Sequence, residues 1–168
     1  MSAVAAMIVA LLVQTDPVAA FEAELRQSNS ATAVLQRRCG APIRAEVDRA
    51  AVNPPSPEQR VRLAVDAGEL VAYRRVALRC GEVTLSVAEN WYVPARLTPE
   101  IRAALAGDTP FGAAIRPLSP TRRTLASERD GPGYMLRHRA LVLAGDGTPL
   151  AEVVENYQPA ALAAVPFH

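Results

Sequence analysis

Residues 69–94 read ELVAYRRVALRCGEVTLSVAENWYVP, two runs rich in branched, aromatic and alternating apolar residues on either side of Gly81-Glu82. Glycine at the first central position of a two-residue turn joins such runs into an antiparallel hairpin, because it enters positive φ without strain. Working outward, runs of the same character occupy residues 121–128, 134–144 and 150–157, and Gly145-Asp146-Gly147-Thr148 carries an Asp-Gly pair suited to a type I′ turn. Residues 43–51 alternate Ile43, Ala45, Val47 and Ala51 with Arg44, Glu46 and Asp48, the period of a half-buried strand. Helices are predicted from Pro17 after the cap Asp16, after Ser28-Asn29-Ser30 up to Cys39-Gly40, after Pro57, after Thr98-Pro99, and briefly after Thr109-Pro110. The expectation is an α+β domain: an antiparallel sheet of about five to six strands with helices packed on one face and at the ends.

The chain has 168 residues, half of them hydrophobic, which suits one domain over residues 28–168 preceded by an apolar and helical segment over 1–27. Eighteen basic residues face seventeen acidic ones, so no excess positive field marks a nucleic-acid binder. All eighteen are Arg. Without Lys there is no lysine Schiff base and no Walker phosphate loop. With two Cys 41 positions apart and only His138 and His168, no ordinary zinc site follows, and neither Gly-x-Gly-x-x-Gly nor Gly-x-Ser-x-Gly occurs. No metal or cofactor is therefore expected. Cys39 and Cys80 either pair, closing a loop worth roughly 3 to 4 kcal/mol, or pack as two small buried hydrophobes. The apolar stretch 3–13 is too short to span a bilayer; it reads either as a core helix or as the centre of a signal peptide over 1–20, with Val18-Ala19-Ala20 as the small-residue site.

What remains is arginine and carboxylate chemistry on a small anion, or binding alone. Glu155 alternates in step with Ala151, Val153 and Tyr157, so with that face inward a carboxylate stands in an apolar wall where burial disfavours its charged form; the alternative is that it pairs with Arg75 or faces water. Arg75 falls in step with Val71, Tyr73 and Ala77 and offers a fork that grips a carboxylate through two hydrogen bonds. Arg74 and Arg79 compete for the anion role, and Glu89 and Glu152 compete with Glu155. Arg122, Arg123, Arg137 and Arg139 read as solvated strand faces, and Trp91 and Tyr92 as core fillers.

Six pieces in order carry a family likeness: Ser30-Ala31-Thr32, Tyr73-Arg74-Arg75-Val76-Ala77-Leu78, Thr109-Pro110-Phe111-Gly112, Thr121-Arg122, Arg129-Asp130 and Glu155-Asn156-Tyr157-Gln158-Pro159-Ala160. Over about residues 28–160 the chain resembles the chorismate pyruvate-lyase family, which splits chorismate into 4-hydroxybenzoate and pyruvate, a step toward ubiquinone. The resemblance implies that Arg75 anchors the ring carboxylate and Glu155 meets the hydroxyl while the C4 proton leaves and the ether bond breaks. It also implies that backbone groups at Ala31 and Phe111, where the family usually has Met and Leu, complete the pocket. The implied partner is a small aromatic carboxylic acid bound by a cytoplasmic monomer without cofactor. The Cys pair and the apolar start look more like a subgroup of relatives, some of them exported to the periplasm. The same fold is similar to the effector-binding domains of bacterial transcription regulators, which makes a non-catalytic binding module the rival; the roughly 30 residues before the matched region are too few and too apolar for a winged-helix reader.

Overall fold

Side-chain caps and prolines set the helix starts in the computed structural model, which describes residues 16–166. The apolar stretch 3–13 and His168 lie outside these residues, as does most of the signal-peptide reading. Asp16 accepts from the Val18 amide at 2.9 Å ahead of α1 (Pro17–Gln27), so Val18-Ala19-Ala20 forms the first turn of a helix. Ser30 caps α2 (Ala31–Gln36), and Ser56 and Gln59 form a reciprocal capping box at α3 (Pro57–Arg62). Thr98 caps α4 (Pro99–Ala106), and Pro110 precedes the short α5 (Phe111–Ala114).

The strands are β1 (Arg44–Asp48), β2 (Ala72–Cys80), β3 (Val83–Tyr92), β4 (Thr121–Gly131), β5 (Tyr134–Leu143) and β6 (Pro149–Tyr157). They form one wholly antiparallel sheet in the order β1-β2-β3-β6-β5-β4, an α+β fold. β1 ends at Asp48, short of the expected Ala51, because the Asp48 carboxylate accepts from the Ala50 amide and closes a turn. Gly81 has φ +55° in the first hairpin, as its position requires. The Asp-Gly hairpin differs from expectation. Only Gly147 has positive φ, and Ala144 pairs with Thr148 across the three residues between them, so the connection is the longer loop with a glycine bulge and not a two-residue type I′ turn.

Register assigns each side chain to a face. Val76, Leu78, Ala88, Val153, Tyr157, Leu136, Ala140 and Val142 point to one side, where Phe21 and Leu25 of α1, Val34 and Leu35 of α2, Ile101 and Leu105 of α4 and Phe111 of α5 cover them. The helices α1, α2, α4 and α5 pack on this face and at the ends, as expected, and one further segment adds to them. The segment around α3 covers the opposite face, where Leu63 packs with Trp91, Val93, Leu141 and Val154, and Gln59 and Arg62 both reach Glu152. Its cause is Glu152 itself, a fully buried carboxylate on that side that must be paired.

Cys39, just beyond α2, is bonded to Cys80 at the end of β2, with Cα atoms 5.7 Å apart. The bridge closes a 41-residue separation and ties α2 to the sheet, beside the contact in which Gly40 donates to Val165 and Val165 to Arg38. Replacing both cysteines with Ala is expected to lower unfolding free energy by about 3 to 4 kcal/mol, read as a fall in urea midpoint at unchanged slope.

Candidate functional site

One row of the helix-facing register runs Val76, Ala88, Glu155, His138 and Ser127 across β2, β3, β6, β5 and β4. Glu155 is thus the one acid of this row, between Ala88 and His138. Arg122, at the start of β4, reaches it with both terminal nitrogens, NH1 lying 3.3 Å from Oε1 and NH2 contacting Oε2, and the two side chains are only 7% and 9% exposed. The Tyr157 hydroxyl donates to Glu155 Oε2 at 2.8 Å. Beside this pair lies a cavity of about 30 Å³, lined among others by Ala31, Phe111, Asn90, Arg122 and Glu155. Its size is about the share of one liquid water molecule. Asn90 is 2% exposed, and its Oδ1 and the Arg122 Nε have no hydrogen-bond partner. Unpartnered polar atoms on residues that line a cavity are what a ligand or an ordered water would satisfy.

Above the cavity, an open groove of about 690 Å³ runs between α2 and α5, and Asn29, Ser30, Thr32 and Gly112 line both spaces. Gly112 permits the helices to close: a Cβ there would sit 3.0 Å from both Ser30 Oγ and Thr32 Oγ1.

The charges around the pair are individually accounted for. Burial works against the Arg122 charge, but Glu155 beside it holds its pKa above the ordinary guanidinium value. Burial drives the Tyr157 hydroxyl well above the usual phenol range. His138, fully buried with neither ring nitrogen hydrogen-bonded, is lowered by burial and then by the Arg122 charge, so it is neutral. Behind it, Glu22 of α1 approaches Nε2 at 3.7 Å. Burial pushes the Glu22 carboxyl up, but hydrogen bonds from Ser127, Arg129 and Arg26 outweigh it and bring the pKa down to about 2.

The structure brings Ala31, Phe111 and Glu155 to one cavity and leaves Arg75 out. Arg75 points to the opposite face of the sheet, about half exposed, and pairs with Asp48 at 3.2 Å. Its predecessor Arg74 takes the inward position, 5% exposed, donating to the Gly107 and Thr109 carbonyls at the α4–α5 connection, with Nε and NH1 unpartnered. Expected Arg75–Glu155 cooperation is therefore corrected: odd and even positions of a strand face opposite ways. The reading of Arg122 as a solvated strand residue is corrected too, since it is the cation at the site. The register that turns it inward, Arg122 opposite Val142 and Thr124 opposite Ala140, exists only once the sheet has formed. Arg79 pairs with Glu46, Glu89 accepts from Tyr73, and Glu152 belongs to the other face with Arg62. The pocket implied for an aromatic acid is here only about 30 Å³. Among the described residues no cluster of three or more His, Cys, Asp or Glu could hold a metal, and no helix is long and apolar enough to cross a membrane.

Comparison with known proteins places the chain. No family model matches. Over 167 residues it is 35% identical to the uncharacterized protein y4mC of Sinorhizobium fredii, covering 80% of this chain and 70% of that one. The chain belongs to the y4mC family. Among solved structures, the effector domain of PhnF from Mycobacterium smegmatis superposes with TM-score 0.58 at 14% identity, covering 78% of this chain and 89% of that domain. YydK of Bacillus subtilis, a possible transcriptional regulator, gives 0.51 at 16% identity, covering 75% of this chain. This chain spans 61% of the length of YydK. At these identities the likeness establishes for the y4mC-family chain a shared fold, that of effector-binding domains.

Two outcomes follow from the site. Arg122→Met, which leaves Glu155 buried without its cation, is expected to destabilise by about 3 to 5 kcal/mol, whereas Arg75→Ala, which opens an exposed pair, changes stability by less than about 1 kcal/mol; urea unfolding of both reads the contrast. On the acid side, the unfolded chain protonates its histidine near pH ~6.5 while folded His138 resists. Glu22 adds a contribution that is present above pH 4.5, the ordinary value for a glutamate, and lost as pH falls toward about 2. Stability should thus fall below pH ~6.5, and in His138→Phe the part of that fall lying above pH ~5 should vanish.

Proposed function

We propose that this protein binds a small aromatic carboxylic acid in the space beneath α2 and α5. The observation that carries the reading is the enclosed Arg122–Glu155 pair set beside an unpartnered Asn90 amide in apolar walls. Such a combination, a few convergent polar groups in a mostly apolar hollow, is the usual form of a small-molecule site. The groove between the helices supplies a way in, and the reading requires Ser30 and Thr32 to part from Gly112 so that the cavity grows beyond one water. The effector domain of PhnF shares the fold, which supports binding of a small molecule without conversion.

The lyase form of the reading, chorismate to 4-hydroxybenzoate and pyruvate, keeps Glu155 at the hydroxyl and requires a cation other than Arg75 for the ring carboxylate. Arg74 and Arg122 are the inward candidates. Ala31 and Phe111 support it by lining the cavity with Glu155. No cofactor enters either form, because elimination to an aromatic ring needs orientation and a proton acceptor. The Cys39–Cys80 bond supports an oxidising compartment over the cytoplasm; N-terminal sequencing of the mature chain and a thiol titration after unfolding without reductant test it.

Titration with 4-hydroxybenzoate should give saturable thermal stabilisation, and the absence of any shift for it and for benzoate would refute the binding site. Incubation with chorismate separates the two forms: release of 4-hydroxybenzoate and pyruvate establishes the lyase, and binding without turnover establishes the module.

A further inference from the structure

Arg122 is already neutralised in the closed site, because Glu155 contacts both of its terminal nitrogens. An acid anion entering from the groove must share that guanidinium, of which only Nε is unpartnered, so two carboxylates then stand against one buried cation. Glu155 is then left with its charge in a wall of Val76, Ala88, Val142 and Val153. The groups that face it are known element by element. β4 supplies Arg122; β5 supplies neutral His138, directly opposite in the register; β6 supplies the Tyr157 hydroxyl. From β3 and β2 come Asn90 and apolar Val76 and Leu78, and the residues of α2 and α5 that line the cavity carry no charge. α1 contributes Glu22 and Arg26 behind His138, where Glu22 already engages Arg26, Arg129 and Ser127. Arg74, on the same face, is not among the residues that line the cavity, and one of its terminal nitrogens is held by the Gly107 and Thr109 carbonyls. Among the described residues, none of these offers Glu155 a second cation to replace Arg122.

Resting on the binding reading above, we infer that the site takes up its acid ligand as an anion together with one proton, the proton passing from solvent to Glu155 as the ligand carboxylate replaces it on Arg122. The balance is simple. The Arg122–carboxylate contact is exchanged, one O–H bond forms on Glu155, no carbon bond changes, and the net charge of the occupied site equals that of the empty one. The new O–H lies across the strand pair from His138, whose ring nitrogens are unpartnered and of which the one without a hydrogen can accept it. The ligand class is thereby narrowed to acids that bind as monoanions, and a buried unpaired charge is avoided.

Calorimetric titration of the full chain with 4-hydroxybenzoate, and separately benzoate, in buffers of different ionisation enthalpy tests this. The expected result is one proton taken up per ligand, with Kd rising about tenfold per pH unit between pH ~6 and ~7.5. Glu155→Gln, which has no charge to displace, should bind without proton uptake, independently of pH, and at pH ~7.5 about tenfold or more tightly than wild type. Binding by wild type with no proton change and a flat pH profile overturns the inference while leaving the binding site standing. Failure of both acids to bind wild type and Glu155→Gln overturns the binding reading and the inference with it. Because single variants at the pair can unfold the chain, Arg122→Met/Glu155→Gln serves as a folded, charge-free control; it should bind neither acid, and binding by it would remove Arg122 from the anchor role.

Discussion

Two opposite charges shut between a sheet and its covering helices set the terms for everything around them. Separated from each other, Arg122 or Glu155 would leave a buried ion with no compensation, at several kcal/mol. Together they form a neutral unit that the apolar wall tolerates. The requirement reaches outward. Tyr157 turns its hydroxyl to Glu155, and His138 is kept neutral. The next carboxylate, Glu22, is satisfied by Ser127 and Arg129 from β4 and by Arg26 from its own helix, which docks α1 on the sheet.

The other face solves the same problem differently. Glu152, three positions before Glu155 and fully buried, receives Arg62 and Gln59 from the segment around α3, so a proline-rich strap is held down by a charge. On the front, no strap is used. The helices α2 and α5 meet across Gly112, and the disulfide and the Val165 contacts hold the far end of α2 to the sheet. The cavity meets the groove at the other end of α2, at Asn29, Ser30 and Thr32.

Much of the architecture was legible along the chain because its signals are local. Caps at Asp16, Ser30, Ser56 and Thr98 act within three residues, and Gly81 acts within one turn. The Arg74-Arg75 doublet was not legible in the same way. Both of its parities alternate with apolar residues: Val71, Tyr73 and Ala77 on one side, Val76, Leu78 and Cys80 on the other. A strand covered on both faces gives period two no preference. The strap from α3 is what makes the Tyr73 and Trp91 side apolar, and it is far from β2 in sequence. Arg122 was missed for a related reason. On an edge strand rich in Arg, only a partner 33 residues later distinguishes a buried guanidinium from a solvated one.

The order of residues by itself determined the antiparallel α+β plan, the hairpins, the helix starts and the presence of an acid at position 155 among apolar neighbours, since each depends on spacing within a few residues. Tertiary structure decided which arginine meets that acid, which cysteine state is adopted, and how much space is left beside the pair. Those outcomes rest on burial and on contacts between segments distant in the chain, and desolvation acts only once the sheet and both of its covers have closed.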